Sequence, residues 1–223
     1  MFVNKRYIRY GLISSFFLIG YLFYQQIYQK WSEEKHQKAL RACTTTLQNL
    51  RSEASKIKPV NLYPVQQNGK YGYKNGYGKI MIQPQFHRTE LFHEGRGQII
   101  DRNWFQGFIN AKGEIVIPQE FRGVTDFAGG VAYFSGTRED QKKRGFIDRN
   151  GNIILELRNV DAHIETFPYS GFNNGRITAY LHKHESVPWG GFLFPYGNPV
   201  PRVYGSLDCT GKVTFEEFVW TIF

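Results

Sequence analysis

One short pattern occurs four times in this chain, and it restricts the fold more than any other feature. A glycine is followed at three residues by Asn or Asp, and at three more by a second glycine. An apolar pair then follows. The copies are Gly72-Asn75-Gly78, Gly107-Asn110-Gly113, Gly145-Asp148-Gly151 and Gly205-Asp208-Gly211. Their pairs are Ile80 and Ile82, Ile115 and Ile117, Ile153 and Leu155, and Val213 and Phe215. Repetition at this period points to an array of small units that bury their apolar faces against one another.

The residue types say what each unit is. Asx at the first position of a turn bonds its side chain to nearby backbone, and glycine at the fourth accepts a left-handed conformation. A type I turn ending in such a glycine joins two antiparallel strands with a bulge. First strands are predicted over 70–74, 105–109, 144–147 and 204–207. Second strands are predicted over 79–82, 114–117, 152–155 and 212–215, each burying both members of its apolar pair. Third strands follow at 97–101, 131–135 and 176–181. Aromatic residues make up 17% of the chain, with 19 Phe and 14 Tyr, which suits pleated, half-buried surfaces. The first glycines are 35, 38 and 60 residues apart, so the last interval holds an insertion.

The pattern resembles the WG repeat family, also called KWG repeats. Gly107-Phe108-Ile109-Asn110-Ala111-Lys112-Gly113-Glu114-Ile115-Val116-Ile117-Pro118 carries the likeness most fully, and Gly145 to Gly151 repeats its first half. The eponymous tryptophan is replaced by Tyr71, Gln106, Arg144 and Tyr204. The resemblance covers roughly 70–218. It implies a β-rich bacterial repeat array, often in envelope or surface proteins and generally without known catalysis. The expected fold is therefore all-β: an open, curved stack of antiparallel hairpins over 70–223, with propeller-like closure as the alternative.

The net charge of +9 is unevenly placed. Residues 1–58 hold 10 Lys and Arg against 3 Glu, while 59–223 hold 18 against 16 acidic residues. A basic folded surface, the mark of a nucleic-acid binder, is thus not expected. Residues 10–29 carry no charge and would extend about 30 Å as a helix, one bilayer core. Lys5, Arg6 and Arg9 precede them, and no small-residue cleavage site follows. The expectation is a cytoplasmic tail over 1–9, a single membrane span over 10–29, and repeats outside the inner membrane, in the periplasm or beyond. Leu40, Cys43, Leu47, Leu50, Ala54 and Ile57 then lie on one stripe of a helix over 30–58. That stripe suits either a cover for one end of the β array or a coiled-coil seam. Pro59 and Pro64 place a linker over 59–69.

Chemistry-bearing patterns are sparse. His182 and His184 share a strand face, with His163 or Glu185 within reach only by folding, so no metal site and no cofactor is expected. No catalytic motif occurs, and no catalytic residue is assigned. Cys43 and Cys209 are the two cysteines, and either pair or are separately buried. The 185–204 insertion sets Trp189, Phe192, Phe194 and Tyr196 among four prolines, as a recognition loop or as packing. The function that follows is a membrane-held, non-enzymatic binding module contacting a protein or a cell-wall glycan. An envelope-held inhibitor or immunity protein against a toxin is the alternative, and an uncharacterised hydrolase the second.

Overall fold

The computed structural model describes residues 5–157, 172–181 and 203–218. The molecule divides into two compact units, Met1–Ala42 and Cys43–Phe223. A helix, α1 (Lys5–Ser55), begins in the first unit and ends in the second. Two helices were expected, a span over 10–29 and an amphipathic helix over 30–58; one continuous helix of 51 residues replaces them. No glycine or proline lies between Gln25 and Ser55, so nothing breaks the hydrogen-bond ladder. No helix among the described residues is long and apolar enough to cross a membrane. Ser14, Ser15, Gln25 and Gln26 dilute the apolar run in which the span was expected.

The described residues of the second unit form four sheets. The first has the order β1-β2-β3, from Leu62–Gln67, Lys70–Asn75 and Ile80–Phe86. The second has the order β4-β5-β6-β7-β9, from Arg88–His93, Arg96–Ile100, Gln106–Ile109, Ile115–Arg122 and Gly136–Thr137. The third is β8 (Val131–Phe134), β10 (Gly145–Asp148) and β11 (Ile153–Glu156), with β10 in the middle. The fourth is β12 (Arg176–Leu181), β13 (Val203–Asp208) and β14 (Val213–Phe218), in that order. Each contains the same antiparallel meander, and each Asx-glycine corner joins its second and third strands.

Two sequence expectations need correction. Residues 59–69 are not a bare linker, because β1 lies within them. Pro64 argues against a strand, but β1 is an edge strand and a proline costs no ladder bond there. The apolar pairs also do not share one buried face. Ile82 and Ile117 are buried, whereas Ile115 is 55% and Ile153 40% exposed. A bulge sits between them: Phe108 and Ile109 are adjacent, yet they pair with Ile117 and Ile115. The extra residue resets the alternation.

The sheets stack, and the repeat dictates how. The second glycine of each corner lies over the last apolar residue of the preceding sheet. A methyl at Gly113 would meet Ile82 Cγ2 at 2.9 Å, one at Gly151 would meet Ile117 at 3.3 Å, and one at Gly211 would meet Leu155 at 3.8 Å. Gly78, in the first sheet, has no such neighbour within 4 Å. The described sheets thus form an open stack rather than a closed propeller. Cores fill the spaces between them. Tyr73, Ile82, Phe86, Ile99 and Ile109 pack between the first two sheets. Phe108, Ile117, Phe121, Phe134 and Ile147 pack between the second and third. Middle strands are covered on both faces, which is why β10 is buried throughout.

The end of α1 runs along this stack. Its inward positions fall on two-residue turns with left-handed backbone: Glu94-Gly95, Gly129-Gly130 and Asn174-Gly175. Ile57 abuts Gly95, Leu50 abuts Gly130, and Thr44 abuts Gly175. These contacts are six or seven residues apart along the chain, with Ile57 just past the end of α1, and the helical interval from Thr44 to Leu50 is roughly 10 Å at ~1.5 Å per residue. Stacked sheets are spaced by about the same distance. The stripe therefore meets one sheet per two helical turns. A methyl at Gly130 would lie 2.7 Å from the Leu50 carbonyl oxygen, so this approach requires glycine. Glu94 adds a staple: its carboxylate accepts the Gly129 and Gly130 N–H groups at 2.7 and 2.9 Å.

Candidate functional site

The four corners have one geometry. At each, the Asx N–H donates to the carbonyl four residues on, and the second glycine N–H returns a bond to the Asx carbonyl. The Asx side-chain oxygen accepts two more backbone N–H groups, at positions two and four. The second glycines have φ of 83°, 87°, 87° and 88°.

A fifth corner of the same kind connects β5 to β6, with a tryptophan in the glycine position. Asp101 N donates to Phe105 O at 2.9 Å, and Trp104 N to Asp101 O at 3.1 Å. Asp101 Oδ1 accepts Asn103 N at 2.8 Å and Phe105 N at 2.9 Å. Trp104 has φ of 65°, where an L side chain costs about 1–2 kcal/mol. Its indole is 59% exposed. Strain held at an exposed aromatic is the kind of outlier that points to function.

The turn is clamped from below. Arg138 Nη2 donates to Asp101 Oδ2 at 2.6 Å and to Gln119 O at 2.8 Å. The Arg138 and Arg122 guanidinium groups lie 3.9 and 4.4 Å from the Phe105 ring centre. The Asp101 carboxyl consequently sits below its ordinary range. Burial pushes it up, but the Phe105 N–H, the Arg138 guanidinium and the Asn103 N–H outweigh that push.

Trp104 stands at the rim of a groove of about 560 Å³. Its walls come from β4 (Arg88, Glu90, Leu91, His93), β5 (Gln98, Ile100), β6 (Gln106) and the segment after β7 (Val124, Thr125, Asp126). Polar side chains pair along it. Arg88 Nε lies 3.0 Å from Glu90 Oε1, and His93 Nε2 lies 3.3 Å from Asp126 Oδ2. Burial pushes the Asp126 carboxyl up; His93 opposes the shift and Glu90 adds to it. Two side-chain amides are fixed on one residue: Gln106 Oε1 accepts Val124 N at 2.6 Å, and Gln98 Nε2 donates to Val124 O at 3.0 Å. Gln106 occupies the position of the family's eponymous tryptophan.

The residues singled out from sequence fall elsewhere. Gly72, Gly107 and Gly145 lie in the middle strands, and the Asx and second-glycine positions form the corners that hold the sheets; none of them lines the groove. Cys43 and Cys209 are joined, with Cα atoms 5.9 Å apart. Trp189, Phe192, Phe194 and Tyr196 lie outside the described residues, as do His163, His182, His184 and Glu185. No group of three or more metal-ligating side chains occurs among the described residues. Sequence reading missed Trp104. The signal was the Asp101 spacing, which matches the four corners once glycine is not demanded at the fourth position.

The family model for the WG containing repeat matches residues 71–99 and 107–135. No curated protein and no solved structure matches the chain. The groove walls fall largely within the two matched segments, whereas the Trp104 corner lies between them. Residues 71–99 and 107–135, in the first three of the stacked sheets, thus match the WG containing repeat, and the chain carries WG repeats there.

Proposed function

We propose that this protein is a non-enzymatic binding module of the cell envelope whose recognition surface is the Trp104 groove. The observation that carries the reading is a tryptophan in the left-handed corner position that glycine holds at four sister corners. Replacing it with glycine relieves about 1–2 kcal/mol of backbone strain. That gain is offset by the greater freedom of the unfolded chain, about 0.4–1 kcal/mol. The indole therefore serves something other than the fold. Trp104→Gly is expected to leave stability within about 1 kcal/mol of the parent in urea unfolding. A photo-cross-linking residue at 104 is expected to give a discrete adduct in producing cells, and the same residue at the exposed Tyr77 none. No adduct at 104 would remove the groove from consideration; an adduct with a secreted toxin would favour the inhibitor reading.

Location belongs to the same proposal. A disulfide is kept in oxidising compartments, so the Cys43–Cys209 bridge supports repeats outside the cytoplasm. Tyr21, Leu22, Phe23, Tyr24 and Ile27 of the first unit are all exposed, which supports contact with the inner membrane through the 10–29 stretch. In fractionated cells, the full chain is expected in the membrane pellet, resistant to carbonate extraction, with the repeats open to protease from outside. Recovery in the soluble fraction would sink the attachment.

A further inference from the structure

We propose that the Trp104 groove takes a pyranose glycan bearing acetamido groups, of the kind found in cell-wall strands. This deepens the reading of the groove as the recognition surface and rests on it.

A pyranose ring has an apolar face of C–H groups and a rim of hydroxyls. The groove offers the complement. The Trp104 indole, 59% exposed, supplies a flat apolar surface at one side, and Leu91, 49% exposed, supplies another. Between them the walls are polar and carry no excess of cations: Arg88 is set against Glu90, and the His93 imidazole lies beside the Asp126 carboxyl. A phosphate-bearing ligand would need an excess of cations, which these walls lack. A charged peptide would need an excess of either sign. Neutral hydroxyls suit paired walls, since each can donate to a carboxylate and accept from a guanidinium.

The amides narrow the class. Gln106 and Gln98 each hold Val124 with one end. Gln106 Nε2 and Gln98 Oε1 make no hydrogen bond among the described residues, and both side chains line the groove. An acetamido group presents one C=O and one N–H, the partners for that donor and acceptor. The cavity of about 560 Å³ lies in the range of small-ligand sites. The Asp101–Arg138 clamp holds the turn that carries Trp104 before binding, which lowers the entropy lost on association.

The test is calorimetric titration of the full-length protein in detergent with chitotetraose, and with cellotetraose, which lacks acetamido groups. Chitotetraose is expected to bind saturably and at least tenfold tighter than cellotetraose. Trp104→Gly is expected to weaken it at least tenfold, while Trp104→Phe retains most of the affinity and Tyr77→Ala all of it. Circular dichroism confirms that each variant is folded. Equal binding of the two sugars overturns the acetamido assignment. No binding of either, with an adduct still forming at position 104, overturns the glycan and leaves the groove as a site for another ligand. No binding and no adduct overturns both.

Discussion

Alanine at position 107 is expected to destabilise the protein by about 3 kcal/mol or more, as one methyl forced against backbone. Gly107 lies in β6 opposite the bulge of β7. A Cβ there would fall inside contact distance of the Ile117 carbonyl oxygen, and 2.6 Å from the carbonyl carbon of Pro118. These are main-chain atoms in a paired strand, so no rotamer change makes room. Gly72 meets Ile82 and Pro84 in the same way, and Gly145 meets Leu155. The first glycine of the repeat is therefore a packing requirement of the bulge, not of backbone freedom. Gly76 is the control. Nothing lies within 4 Å of its Cβ position, and its φ is not left-handed. Gly76→Ala is expected to be neutral or to stabilise by about 0.4–1 kcal/mol through the unfolded chain. Urea midpoints of the two variants against the parent decide the matter. A Gly107→Ala variant as stable as Gly76→Ala would mean that the strands do not approach this closely.

Breaking the Cys43–Cys209 bridge is expected to cost up to about 5 kcal/mol in the chain-entropy model, because it closes a very long loop. The two cysteines are 166 residues apart, and the loop they close contains the first three sheets and the first two strands of the fourth. Cys209 is 7% exposed, and its N–H donates to Gly175 O at 2.9 Å, in the turn that Thr44 abuts. Reductant is expected to lower the denaturation midpoint of the parent and to leave that of a Cys43→Ser, Cys209→Ser double variant unchanged. Equal midpoints for reduced and oxidised parent would show that helix packing alone holds the last sheet.

The hairpins were legible because their signal is local. An Asx side chain and a glycine three residues later specify a turn without help from the rest of the chain, and four copies made it unambiguous. The WG likeness rested on the same residues. Other features were misread where one local rule met a tertiary exception. Pro64 marked a linker, but β1 is an edge strand where proline is tolerated. The apolar pairs suggested one buried face, but the bulge turned Ile115 and Ile153 outward. The end of the uncharged run at residue 29 suggested a boundary between two helices, yet residues of good helix propensity with no breaker simply continued one.

By itself, then, the sequence determined the repeating unit, its corners, and the helical stripe. Each depends on residues within a few positions of one another. Tertiary structure alone decided what the stripe packs against and where the Trp104 groove lies. Two turns of helix and the spacing between sheets agree at roughly 10 Å, a match that matters only once the sheets are stacked. The groove draws its walls from strands up to 38 residues apart, between Arg88 and Asp126. Trp104 shows most clearly why this was hidden: its role follows from a backbone conformation that the local sequence disfavours and that the surrounding clamp imposes.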